Sequence, residues 1–188
     1  MTPSGSNAGR DAHDKIYELN AFLTDIEKRA FRIAQLAVGN QEDALDIVQD
    51  AMLKLSQHYV DRSTREWKPL FYRVLENRIM DFHRKETLRK KWFWWKTETA
   101  DQAGPEEWFA DDGINQPLEA IQQVELGQNV LAAIKSLPVK QQQCFLLRSW
   151  EGLSVKETAT AMNVSEGSIK THFSRAVQKL QAVIADYE

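Results

Sequence analysis

The chain has 188 residues, 43% hydrophobic and 27% charged, with a formal net charge of −3. That balance fits a globular chain with room for one large or two small domains. It holds one cysteine, Cys144, which excludes a disulfide framework and a cysteine zinc cluster, and no apolar run long enough to span a membrane.

Residues 1–13 are small and polar, lack the apolar core of a signal peptide and read as a disordered N-terminus. A helical period then begins: Ile16, Leu19, Leu23, Ile26, Ala30, Ile33 and Ala37. It stops at Val38-Gly39-Asn40, where Gly39 ends one helix and Asn40 caps the next. That second helix carries Glu42 and Asp43 at its positive end and a buried stripe of Leu45, Val48, Met52 and Leu55. After a polar loop from Val60 to Glu66, a third helix reads WKPLFYRVLENRIMDFHRK, with Pro69 in its first turn. Leu70, Phe71, Val74, Leu75, Ile79 and Phe82 face inward, and three such helices suffice for a small bundle.

From Thr87 the pattern fails. LRKKWFWWK is basic and aromatic, and Thr97 to Glu119 carries seven acids with no Lys or Arg. Gly104-Pro105, Gly113 and Pro117 break any helix, so residues 87–117 read as a flexible acidic linker. Helical spacing returns with Leu118, Ile121, Val124, Leu126, Val130, Leu131 and Ile134, and Pro138 to Trp150 gives another helix. Cys144 lies in the apolar run CFLL and reads as a buried thiol.

Leu153 to Leu180 places two short helical patterns either side of a tight turn. Ser154 and Glu157 form a capping box, Asn163 tolerates the left-handed conformation that ends a helix, and Ser165 is a second N-cap. Ile169, Phe173, Ala176, Val177 and Leu180 take the buried side of the second helix; Lys170, Thr171, Ser174, Arg175 and Gln178 take the free side. This is a helix-turn-helix pattern. Amphipathic helical hairpins are common in all-α proteins, but Lys, Thr, Ser and Arg on the free face reach phosphates and base edges, which favours DNA.

Two further groupings carry chemistry. Residues 62–91 hold ten bases against four acids, interleaved with Trp67, Phe71, Tyr72 and Phe82 and followed directly by Trp92, Phe93, Trp94 and Trp95. Bases track a phosphate backbone and aromatic faces stack unpaired bases; the plainer reading is a solvated face with core aromatics, as for Phe71 and Phe82. Asp43, Asp46 and Asp50, at helical spacing, suit a magnesium site, a docking surface for a basic partner helix, or an ordinary exposed face. His13, His58, His83 and His172 are scattered, and there is no phosphate-binding glycine loop, nucleophile elbow or zinc motif.

Three ordered stretches, within Leu19 to Lys85 and Gln128 to Leu180, resemble the sigma-70 family of RNA polymerase sigma factors, of the small extracytoplasmic-function (ECF) type. GNQEDALDIVQDAMLKL is similar to the family's G-x-x-E-D-A-x-D-x-x-Q-x-x-F-x-x-L. YRVLENRIMDFHRK is similar to Y-R-I-A-x-N-x-x-x-D-x-x-R-R. LPVKQQQCFLLRSWEGLSVKETATAMNVSEGSIKTHFSRAVQKL follows the family's helix-turn-helix pattern. The chain departs from the pattern at Pro69-Leu70 (commonly Ala-Trp), at Glu76 (basic or small), at Gln142 (Arg) and at Ala161-Met162-Asn163, which lacks the usual Gly.

The resemblance implies an all-α fold of two small helical domains joined by the linker, with residues 14–86 as one domain and 118–188, containing the helix-turn-helix, as the other. It implies a transcription initiation factor that binds core RNA polymerase, recognises promoter −10 and −35 elements and promotes strand opening. Asp46, Gln49 and Asp50 would dock on the clamp helices of the polymerase's largest subunit. Asp61, Arg62, Ser63, Thr64 and Arg65, with Asn77, would capture a flipped −10 base, and Arg73, Arg78, Arg84 and Lys85 would hold the backbone. Ser165, Ser168, Lys170, Thr171, His172, Ser174 and Arg175 would meet the −35 element. The linker's carboxylates would thread toward the RNA exit path. Partners would be core polymerase, promoter DNA and an anti-sigma factor. No cofactor, metal, catalytic residue or membrane insertion is expected, and the location would be cytoplasmic. The rivals are a stand-alone helix-turn-helix regulator with a sensing or dimerising N-terminal bundle, and a magnesium-dependent all-α hydrolase built on Asp43, Asp46 and Asp50.

Overall fold

A computed structural model of the chain describes residues 7–97 and 128–185. Among the described residues the regular structure is helical, with no strand. The N-terminal bundle consists of α1 (Asn7–Val38), α2 (Gln41–His58) and α3 (Thr64–Thr97). The C-terminal domain comprises α4 (residues 128–136), α5 (Val139–Phe145) with a π-helical turn over Leu146–Trp150, α6 (Val155–Met162) and α7 (Glu166–Ala185).

The element boundaries follow the turn chemistry. Gly39 takes a positive φ of 73°, which costs glycine nothing and ends α1. Asn40 Oδ1 accepts from the backbone N–H groups of Glu42 and Asp43 at 2.7 and 3.2 Å, satisfying two donors the helix start leaves open. Ser63 and Glu66 form the entry to α3, where the carboxylate accepts from the Ser63 N–H and hydroxyl at 3.1 and 2.8 Å. Those bonds lower the Glu66 pKa.

Two boundaries differ from the expectation. Helix α1 starts at Asn7, inside the stretch read as disordered, and α3 continues ten residues past the point where the linker was placed. The physical reason is the same at both ends. Once a helix is nucleated by its packed part, each further residue adds a hydrogen bond at little cost, and neither residues 7–13 nor residues 87–97 include a proline to stop it. Local side chains support the α3 extension: Thr87 Oγ1 donates to the His83 carbonyl at 2.8 Å, and Arg89 pairs with Glu86 at 3.1 Å. Because α3 begins at Thr64, Pro69 lies in its second turn rather than its first. Residues 1–6, 98–127 and 186–188 lie outside the described residues, and with them the acidic part of the expected linker and the first part of the helix expected from Leu118, whose later residues Val130, Leu131 and Ile134 lie in α4.

The bundle core is built from Leu19, Leu23, Ile26, Ala30 and Ile33 of α1, Ala44, Ile47, Val48, Ala51 and Leu55 of α2, and Trp67, Phe71, Tyr72, Leu75 and Ile79 of α3. Trp67 and Tyr72, grouped by sequence with aromatics available for base stacking, are core residues; the Trp67 indole N–H donates to the Tyr59 carbonyl at 2.9 Å. Phe22 packs against both Trp67 and Phe71, with centroids 5.9 and 6.4 Å away. The stripe of α2 is rotated from the expected one. Ala44 and Ala51 face inward, where α2 is squeezed between α1 and α3, and Leu45 is left exposed. Small side chains let helices approach, so they displace larger ones from the contact. Ile16 of α1 is likewise exposed.

The two domains are docked on each other. Helix α6 packs on α3, and α5 touches α1. The Gln142 side-chain amide donates to the Leu36 carbonyl at 3.3 Å and to the Ile134 carbonyl at 3.0 Å, joining α1, α4 and α5.

Candidate nucleic-acid interface

The C-terminal hairpin has the expected local chemistry. Ser154 and Glu157 make a reciprocal capping box: the Ser154 hydroxyl accepts from the Glu157 N–H at 3.2 Å, and the Glu157 carboxylate accepts from the Ser154 N–H at 2.8 Å. These bonds lower the Glu157 pKa. Asn163 ends α6 at φ 52°, ψ 48°, the left-handed conformation in which a short polar side chain is tolerated. Ser165 Oγ then accepts from the Ser168 N–H at 3.1 Å and caps α7.

Behind α7, Ile169, Ala176 and Leu180 are buried, and Cys144 Sγ donates to the Ile169 carbonyl at 3.4 Å. Burial pushes the Cys144 thiol up to about 11, which keeps it protonated and unreactive. Phe173 stacks on Phe145 with centroids 6.2 Å apart, and the Arg148 guanidinium lies 5.7 Å from the Phe173 centroid. These contacts fix the rotation of α7 about its axis. They leave Lys170, Thr171, Ser174 and Arg175 exposed on one side. Helical side chains three and four apart share a face, so these four form one outward patch. Ser165 is exposed at the helix start, while Ser168 is half-buried. His172 is also half-buried; burial first, then Lys140 and Arg175, lower its pKa and favour the neutral ring.

On the N-terminal bundle, Asp61, Arg62, Ser63, Thr64 and Arg65 are exposed, as are Arg73, Asn77, Arg84 and Lys85. Arg73, Asn77 and Arg84 fall four and seven residues apart, on one side of α3. Trp92 and Phe93 are exposed further along the same helix. Arg78 is placed differently: it is half-buried and pairs with Asp50 of α2 at 3.3 Å. A residue read as a phosphate contact is thus tied to one read as a polymerase contact.

Asp46, Gln49 and Asp50 are exposed together on α2. Sequence reasoning missed two neighbours on that surface. Leu45 and Leu53 are exposed large apolar side chains at the same helical spacing. An apolar pair among carboxylates is what a protein-docking surface needs, since apolar contact supplies affinity and charge supplies orientation. The signal that could have found them was the pair of alanines, Ala44 and Ala51, competing for the inward positions. Among the described residues no three His, Cys, Asp or Glu side chains converge as a metal site.

Comparison with known proteins places both halves in one family. The family model for sigma-70 region 2 matches residues 21–89, and that for sigma-70 region 4 matches residues 127–180. The chain is 25% identical to the RNA polymerase sigma-E factor of Streptomyces avermitilis, over 90% of this chain and 87% of that protein. It is 25% identical to the ECF RNA polymerase sigma factor SigW of Bacillus subtilis, over 88% and 89% of the two chains. The fold is similar to that of the sigma factor RpoE of Bartonella quintana, solved in complex with the anti-sigma factor NepR, with a TM-score of 0.54, 20% identity and coverage of 88% and 97%. With region 2 on the N-terminal bundle and region 4 on the helix-turn-helix domain, the chain belongs to the sigma-70 family, as an ECF-type sigma factor.

Proposed function

We propose that this sigma factor divides its work among three exposed faces. The α2 face of Leu45, Asp46, Gln49, Asp50 and Leu53 docks core RNA polymerase. The α3 face of Arg73, Asn77 and Arg84, with Lys85 and the loop of Asp61, Arg62, Ser63, Thr64 and Arg65, receives the −10 element. Basic side chains there hold the strand. Asn77 offers an amide that both donates and accepts, which suits an extruded base. The outward patch of α7, Lys170, Thr171, Ser174 and Arg175, enters the major groove at the −35 element. Arg78 acts from within, aligning α3 against α2 through Asp50. His172 and Ser168 support the recognition helix from its flank.

The observation that carries this reading is the outward patch of α7, held in one orientation by the packing of Phe173 and Ile169. The chain does no covalent chemistry of its own in this reading; the polymerase does. It works in the cytoplasm, where polymerase and promoter are, and no helix among the described residues is long and apolar enough to cross a membrane. An anti-sigma factor is the expected regulator, by analogy with the complex solved for the similar fold.

The test is transcription in vitro with core polymerase over a promoter library. A sigma factor yields specific start sites and permanganate-reactive thymines at the −10 element. A stand-alone regulator binds duplex DNA and yields neither.

A further inference from the structure

Past the bundle core, the end of α3 presents a surface that is both basic and apolar. The buried part of the helix ends at Ile79, with Phe82 partly buried against it, and the region 2 match ends at residue 89, yet the helix runs on to Thr97. Three large apolar side chains stand exposed there: Leu88 at 60%, Trp92 at 69% and Phe93 at 66%. Residues 84–96 hold six Lys or Arg against one acid, Glu86. Arg89 pairs with Glu86 and Arg84 with Asp81, each at 3.1 Å. Lys85, Lys90 and Lys91 are exposed and make no ion pair among the described residues.

The helical period sorts these side chains. Leu88 and Trp92, four apart, form one stripe, with Arg84 and Lys91 along one flank and Lys85 and Arg89 along the other. A helix lying in a membrane interface has this pattern. Its apolar side chains enter the boundary between headgroups and acyl chains, aromatic rings sit at headgroup level, and long basic side chains reach out to anionic headgroups. Nucleic acid accounts for the surface less well. Phosphates reward the cations and not the exposed Leu, Trp and Phe. Stacking needs unpaired bases, and Trp92 lies about 22 Å along the axis from Asn77, at 1.5 Å per residue.

We propose that the end of α3, from Arg84 to Phe93, is a binding site for an anionic lipid surface, on which the helix lies without crossing it. The stripe faces the same way as Arg73, Asn77 and Arg84. Leu88 follows Asn77 by about three turns and Arg84 by about one, so all share one side of the helix. A bilayer that receives Leu88 and Trp92 therefore covers that side. Membrane and promoter compete for it, and the membrane holds the factor away from DNA. This competition rests on reading that side of α3 as the −10 face; the lipid site itself does not.

The experiment floats the full chain with vesicles of phosphatidylglycerol and phosphatidylcholine in equal parts, and with vesicles of phosphatidylcholine alone. Wild type should bind the anionic vesicles about tenfold more tightly or better, with the difference shrinking as salt is raised. The variants Leu88→Ser/Trp92→Ser/Phe93→Ser and Lys90→Gln/Lys91→Gln should each lose about fivefold or more, one through apolar contact and one through charge. Both should keep the wild-type thermal midpoint, because all five side chains are exposed. Wild type that binds neither vesicle, equal binding to both lipids, or variants that float like wild type would each overturn the site. Variants that float like wild type but lose affinity for promoter DNA would assign the surface to nucleic acid instead. Anionic vesicles added before core polymerase should lower initiation about fivefold or more for wild type and not for the triple variant. Undiminished initiation by vesicle-bound wild type would overturn the competition. A chain that floats but initiates at no promoter removes the proposed function and leaves the lipid site standing.

Discussion

Asp50 and Arg78 set a trap for the mutagenesis that would test polymerase docking. Reversing Asp50 removes a proposed contact with polymerase and also places two cations together across α2 and α3. Both partners are substantially solvated, so the pair contributes at most about 1 kcal/mol. Asp46 has no such entanglement. Asp46→Lys should weaken core binding more than tenfold and leave the thermal midpoint within a few degrees of wild type, measured by polymerase pull-down and calorimetry. On α7, Lys170→Ala should cost about 1–3 kcal/mol at one −35 position, if the ammonium meets a base edge. A uniform loss across promoter variants would make Lys170 a phosphate contact instead. Asn77→Ala should spare core binding and slow permanganate reactivity of −10 thymines, and a pre-melted template should restore only part of the activity. Equal reactivity in mutant and wild type would take Asn77 out of strand capture.

Helix ends were legible in the sequence because their chemistry is local. Asn40, Ser154 with Glu157, Asn163 and Ser165 each solve a backbone problem within three or four residues, and each does so in the structure. Ser154→Ala should accordingly destabilise the C-terminal domain by about 1 kcal/mol, read as a lower denaturant midpoint with unchanged slope. Helix rotation was less legible. Leu45 and Ala44 compete for one inward position, and only the width of the gap between α1 and α3 decides it. The continuation of α3 to Thr97 was hidden for a different reason: a basic-aromatic run breaks the amphipathic period without breaking the helix. The π-helical turn after Phe145 leaves no signature in LLRSW, yet it carries the chain to Glu151. Candidate site residues on α7 were readable from periodicity. Arg78 was not, because its partner lies 28 positions away on another helix.

At the scale of the whole molecule, the docking of the domains was not legible at all. It depends on the buried Glu151 carboxylate, 3.3 Å from Arg29 and 3.4 Å from Lys68, three charged residues that composition assigns to the surface, as most such residues are. Glu76 gives that docking a further property. Burial raises its carboxyl from 4.5 to about 8, with Lys140 acting the other way. A group whose folded pKa lies above its unfolded one keeps its proton in the folded chain after the unfolded chain has lost it. Its stabilisation is complete below about pH 4.5 and is lost as pH rises to about 8. Stability should therefore decline between these limits in wild type by up to about 1.4 kcal/mol per pH unit, and decline less in Glu76→Gln.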